Sequence, residues 1–69
     1  MKTLDARGLA CPEPVVLTQR ALADDPEGVV VLTDQVAAVE NISRFASARG
    51  YAVEKELRGA ETLLTLKKK

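Results

Sequence analysis

The chain predicts a two-layer α/β sandwich with the element order βαβαββ, and three patterns carry that prediction. Val29 to Thr33 is a continuous β-branched and apolar run on both alternating faces, the mark of a central strand. Segments of helical period flank it on either side. The chain then closes on two strands joined around Arg58-Gly59-Ala60-Glu61, a hairpin signal. A strand, crossover helix and second strand make a right-handed parallel unit, so the hairpin extends the same sheet and the second helix covers the same face as the first.

In chain order, Lys2 to Ala6 reads as the first strand and Arg7-Gly8-Leu9-Ala10-Cys11 as the loop after it. Prolines follow the cysteine at alternate positions. Pro12 suits the first position of a helix, where its missing N–H costs nothing, and this makes Cys11 the expected N-cap. That helix runs from Pro12 to about Asp24. At 100° per residue, Pro14, Val15, Leu17, Thr18, Ala21 and Leu22 form its inward arc, leaving Glu13, Val16, Gln19, Arg20 and Ala23 outside. Asp25-Pro26-Glu27-Gly28 is the turn that ends it. Asp34 is expected to cap a second helix through Arg49, with Gly50 as its stop. On that helix Ala38, Val39, Ile42, Phe45 and Ala46 face the core, and Glu40, Ser43, Arg44 and Ser47 face outward. Tyr51 to Leu57 and Thr62 to Lys67 complete the sheet.

Composition narrows the function. A chain of 69 residues supports one domain, residues 1–69, and buries only roughly 60% of its unfolded surface, leaving no room for a deep substrate pocket. With 46% hydrophobic and 29% charged residues it is a globular chain and not a disordered one. No apolar stretch is long enough to span a bilayer, and Met1-Lys2-Thr3-Leu4-Asp5 lacks the apolar segment of a signal peptide, so a cytoplasmic protein without a membrane partner is expected. One cysteine excludes an internal disulfide framework, and the absence of histidine argues against a zinc site. Ten basic residues balance ten acidic ones, which argues against autonomous nucleic-acid binding despite the Lys67-Lys68-Lys69 tail.

The remaining chemical feature is Cys11. A lone cysteine is ordinarily a small buried hydrophobe. Here the turn-forming Gly8 and two prolines place it at a helix start, facing unsatisfied amide N–H groups and the positive end of the helix dipole, both of which favour thiolate. Occupying an N-cap with cysteine in place of serine or aspartate costs on the order of 1 kcal/mol in capping. The flanking residues allow more than one duty. Arg7 either supplies a cation for a thiolate or is a surface arginine with no special role. Glu13 and Asp5 handle protons, or else Glu13 complements the helix dipole and Asp5 is an ordinary strand-end residue. Pro12 and Pro14 rigidify the loop. Val16 is an apolar side chain on the solvent side within two turns of Cys11, and with Gln19 and Arg20 it offers a docking surface beside the thiol.

Leu4-Asp5-Ala6-Arg7-Gly8-Leu9-Ala10-Cys11-Pro12-Glu13-Pro14-Val15 resembles the signature of the TusA/SirA/YedF group of small sulfur-carrier proteins, whose hallmark is Cys-Pro-x-Pro at a helix start. Downstream, Asp34, the stretch Val36 to Ala46 and then Gly50-Tyr51-Ala52-Val53 resemble the YedF-like branch, with Gln35 standing where that branch has asparagine. The resemblance covers nearly the whole chain. It implies a mixed four-stranded sheet in the order 1-2-4-3, similar to the C-terminal domain of bacterial translation initiation factor three, with Asp34 and Asn41 as motif positions read here as a cap and a solvated helix residue.

The resemblance also implies a function. Cys11 accepts sulfur as a persulfide from a donor such as a cysteine desulfurase and relays it to an acceptor protein, an exchange that needs an accessible thiol and no cofactor. In the TusA branch the sulfur reaches tRNA thiouridine; in the YedF branch the pathway is one of sulfur or selenium handling. Two other readings compete. One is a regulatory module in which Cys11 is only positional. The other is an RNA-binding domain, which neutral charge and a single tyrosine and phenylalanine disfavour.

Overall fold

The computed structural model describes residues 2–10 and 13–69. Its elements are β1 (Lys2–Asp5), α1 (Glu13–Asp24), β2 (Gly28–Thr33), α2 (Val36–Ala48), β3 (Tyr51–Arg58) and β4 (Glu61–Lys68). The expected order and boundaries are reproduced to within a residue or so, and the strands form one mixed sheet in the order β1-β2-β4-β3. β1 and β2 pair in parallel across α1, with Leu4 opposite Val31, while β4 lies antiparallel to both β2 and β3. Ala6 carries the β1 ladder one residue further by donating its N–H to the Leu32 carbonyl at 2.7 Å.

Strand parity sorts the two faces of this sheet. Val29, Val31 and Thr33 of β2 and Leu64 and Leu66 of β4 point to the helical layer and are completely buried. Ala21 and Leu22 of α1 and Ala38, Ile42 and Ala46 of α2 close the core over them. The wheel assignment of α1 is reproduced at Pro14, Thr18, Ala21 and Leu22, which are buried, and at its exposed outward residues, with Val15 and Leu17 half-buried at the edge of the arc. Thr18 sits in that core because its hydroxyl donates to the Pro14 carbonyl at 2.8 Å, so a buried polar group is satisfied within its own helix. On the opposite face Val30, Leu32 and Leu63 are half-buried, with no helical layer over them. β2 is therefore central in the sheet, but its second apolar face is not covered by a second layer.

Three expectations for the α2 region are corrected. Asp34 is not the cap. Gln35 occupies the N-cap with extended φ −112° and ψ 123°, its side chain makes no capping hydrogen bond, and its own N–H is taken by the Thr33 hydroxyl at 3.3 Å. The Asp34 carboxylate has a longer-range partner, described below. Ser43, assigned outward, is half-buried with its hydroxyl oxygen enclosed and unpartnered among the described residues, and Asn41, read as solvated, is also half-buried. Both lie at the edges of the apolar arc, where a helix packed on a neighbouring helix buries more than a sheet-facing stripe alone.

Candidate functional site

The site is built at the end of the sheet where β1 and β2 finish, the usual location of functional loops in such folds. The loop leaving β1 reverses at Gly8, whose φ of +76° lies in the left-handed region that favours glycine. Its N–H donates to Asp34 Oδ1 at 3.1 Å, a contact spanning 26 residues. This bond is what the Asp34 side chain does in place of capping α2. Residues on either side of the cysteine are joined as well, the Glu13 N–H donating to the Ala10 carbonyl at 3.1 Å.

Arg7 makes the second attachment. Its Nε and Nη2 donate to the two carboxylate oxygens of Asp5 at 3.0 and 2.9 Å, and its backbone N–H donates to Asp5 Oδ1 at 3.1 Å. Nη1 reaches Glu61 Oε2 at 3.1 Å. Asp5 belongs to β1 and Glu61 begins β4, so the guanidinium bridges two strands across the end of β2 between them. A planar fork with both sides occupied is the geometry at which arginine excels. The Arg7 side-chain donors, followed by its backbone N–H, hold the Asp5 carboxyl down at about 2, below its ordinary 3.8. The same carboxylates push the guanidinium pKa upward, first through the Asp5 hydrogen bonds and then through Glu61.

This geometry shows what the Arg7 and Asp5 side chains engage. Arg7 is not an idle surface residue, because its guanidinium is engaged by two carboxylates. Asp5 is its main partner and not an ordinary strand-end residue. Glu61 was not singled out by the sequence, since nothing local marks a glutamate 54 residues away as the partner of Arg7. Glu13 is exposed and is the one acidic residue in the first turn of α1. Pro14 is buried beneath that turn. Val16, Gln19 and Arg20 share the solvent face of α1, with Val16 39% exposed. Cys11 and Pro12, with the N-cap and first-position assignments that fall on them, lie outside the described residues.

Among the described residues no group of histidine, cysteine and carboxylate side chains is arranged to hold a metal ion, and no helix is long and apolar enough to cross a membrane. A groove of about 380 Å³ opens between the start of α2 and the β3–β4 hairpin, lined by Val36, Val39, Glu40, Lys55, Leu57 and Thr62.

Comparison with known proteins adds three findings. The family model described as Sulfurtransferase TusA matches residues 2–68. A curated protein of Methanocaldococcus jannaschii, named "Putative sulfur carrier protein MJ0990", is 47% identical over 55 residues, spanning 77% of this chain and 73% of that one. The crystal structure of a SirA-like protein from Desulfitobacterium hafniense superposes with a TM-score of 0.86 at 34% identity, covering 97% of this chain and 96% of that one.

Proposed function

Because the chain belongs to the TusA sulfurtransferase family, we propose that it is a persulfide carrier whose single thiol, Cys11, takes a sulfur atom from one protein and passes it to another. The observation that supports this most is the joining of the family match to the loop geometry. The one cysteine of the chain follows a loop tied at Gly8 and Arg7 to three different strand ends or strand flanks. A thiol that must meet a partner's sulfur gains from being held in one place.

The step is a thiol–disulfide type exchange. Cys11 thiolate attacks the terminal sulfur of a donor persulfide; a bond forms between Cys11 Sγ and that sulfur while the donor S–S bond breaks. The donor cysteine leaves as thiolate with the electron pair, and the proton stays on the transferred sulfur. No net oxidant is consumed. Passing the sulfur to an acceptor is the same step with Cys11 as leaving group, so one thiol serves both halves. Arg7 orients the loop in this scheme and carries no sulfur anion.

The donor we propose is a cysteine desulfurase, and the acceptor a sulfur-relay protein of the cytoplasm serving tRNA thiolation or selenium metabolism. Val16, Gln19 and Arg20 form the part of its footprint that runs along α1. The test is intact-mass analysis after incubation with a cysteine desulfurase and cysteine, expecting one added sulfur atom on the parent and none on Cys11→Ser. A loaded Cys11→Ser variant, or a parent that takes up no sulfur from either the desulfurase or inorganic polysulfide, overturns the carrier reading.

A further inference from the structure

We propose that the groove between the first turn of α2 and the β3–β4 hairpin seats an apolar side chain that the sulfur-delivering protein presents beside its own persulfide; the inference rests on the carrier reading above. Its first support is exposure. Leu57 is 79% and Val36 77% exposed, against 39% for Val16 on α1, and both line this groove together with Val39. Single exposed apolar residues are ordinary, but two large ones converging on a concavity are a binding feature.

Its second support is position. Val36 follows two residues after Asp34, whose carboxylate holds Gly8, and Thr62 directly follows Glu61, whose carboxylate holds Arg7. The walls of the groove are thus the chain neighbours of both loop attachments. Sulfur exchange requires the donor to cover that loop. A standard protein interface takes about 800 Å² from each partner, a patch roughly 30 Å across. This molecule measures only 28 × 21 × 20 Å and exposes 4169 Å² in all. An ordinary footprint centred on the loop covers about a fifth of that surface and extends roughly 15 Å from its centre, toward the flanks on which Val36 and Thr62 lie.

The chemistry of the lining specifies the occupant. Glu40 and Lys55 contribute one charge of each sign, and the remaining surface is apolar or the Thr62 side chain. Nothing in that set favours an anion or a cation, and a leucine-like or methionine-like anchor suits it. A second copy of this chain seated on the groove would lie beside the attachments of the loop that has to receive sulfur, which argues against it as the resident.

The test compares the parent with Leu57→Glu and Val36→Glu. Both positions are open to solvent, and an acid at residue 36 fills a first helical turn that has none, so neither change threatens the fold. Cys11 loading is followed by mass under two sulfur sources, a persulfide-charged cysteine desulfurase at increasing concentration and inorganic polysulfide. The expected result is that each variant needs at least tenfold more desulfurase for the same loading rate, while the maximal rate and polysulfide loading match the parent. Equal desulfurase dependence for variants and parent overturns the proposal. So does a parent that sediments as a dimer dissolved by Leu57→Glu, which would give the groove to a second copy. Loss of polysulfide loading in the parent itself would instead strike the carrier reading on which the groove depends.

Discussion

At the end of the sheet where β1 and β2 begin, backbone carbonyls of the connecting turns accept the hydrogen bonds. The Lys68 N–H donates to the Glu27 carbonyl, the Lys69 N–H to that of Gly50, and the Tyr51 hydroxyl to that of Pro26 at 2.6 Å. Gly28, with φ of +142°, lies so close to β4 that a Cβ there would collide with the Leu66 carbonyl. At the opposite end, where those strands finish, side chains hold the loop: Asp34 on Gly8, and Asp5 and Glu61 on Arg7. Those bonds are exposed to water. One end is thus committed to keeping the domain folded, and the other keeps a loop in place with contacts that contribute little to stability. Regions that meet partners are commonly drawn from the less stable part of a fold.

The largest effect expected from that contrast is at Gly28. Gly28→Ala forces a Cβ against β4 backbone and places a side chain at positive φ, together costing roughly 2–5 kcal/mol. A domain of this size has only about twice that in total, and each kcal/mol moves its midpoint by about 4–8 °C. A thermal melt followed by circular dichroism is expected to fall by roughly 10 °C or more. Below the new midpoint, sulfur loading of Cys11 should be unchanged, because Gly28 is at the far end from the loop. A melt within about 2 °C of the parent would show that β2 and β4 can part there without penalty.

The two ends were not equally legible in the sequence. Core and strand assignments are local: a β-branched run predicts β2, helical period predicts the buried arc of α1, and both are found. Cys11-Pro12 and Gly8 mark the functional loop by residue type alone. What holds that loop was invisible, because the contacts Arg7–Glu61 and Gly8–Asp34 close over 54 and 26 residues and depend on strand order. Asp34 shows the cost of local reasoning. An aspartate before a helix is ordinarily a cap, but here a neighbouring strand's loop offers it a better donor. The exposure of Leu57 has a geometric origin that lengths could have revealed. β3 has 8 residues and spans about 26 Å, whereas α2 with 13 residues spans about 20 Å, so the strand outruns the helix that covers it.

A smaller effect, confined to function, is expected at Asp34. Asp34→Ala removes the acceptor for Gly8 and frees the loop, while Asp34→Asn keeps an oxygen in the same place. The alanine variant is expected to load sulfur several-fold more slowly from a desulfurase, with the asparagine variant restoring most of the rate. Both should melt near the parent, since the side chain is exposed and caps no helix. Equal rates for alanine and parent would mean that Gly8 needs no partner. Equal slowing by alanine and asparagine would mean that the charge of Asp34, and not its hydrogen bond, matters to transfer.

The smallest effect is an acid titration, and it distinguishes an engaged arginine from a free one. Asp5 titrates at about 2 in the folded protein against an ordinary 3.8. A folded-state pKa below the unfolded one means that the contact with Arg7 is at full strength above the unfolded value and is lost as pH falls through the folded one. Its window therefore lies between roughly pH 4 and pH 2, well below any pH at which sulfur exchange would be measured. Following the Asp5 carboxyl carbon by NMR, the parent is expected to give a midpoint near 2 and Arg7→Met one near the ordinary value. Glu61→Gln should leave the Asp5 midpoint low, because all of the hydrogen bonds that depress it come from Arg7. Concentrated salt should raise it only in part, since the contact is a short two-pronged hydrogen bond and not a distant charge pair. If Asp5 titrated normally in the parent, the guanidinium would not be held by β1. Arg7 would then regain the freedom to face a sulfur anion, and the division between a braced loop and a reactive thiol would fail at its most exposed contact.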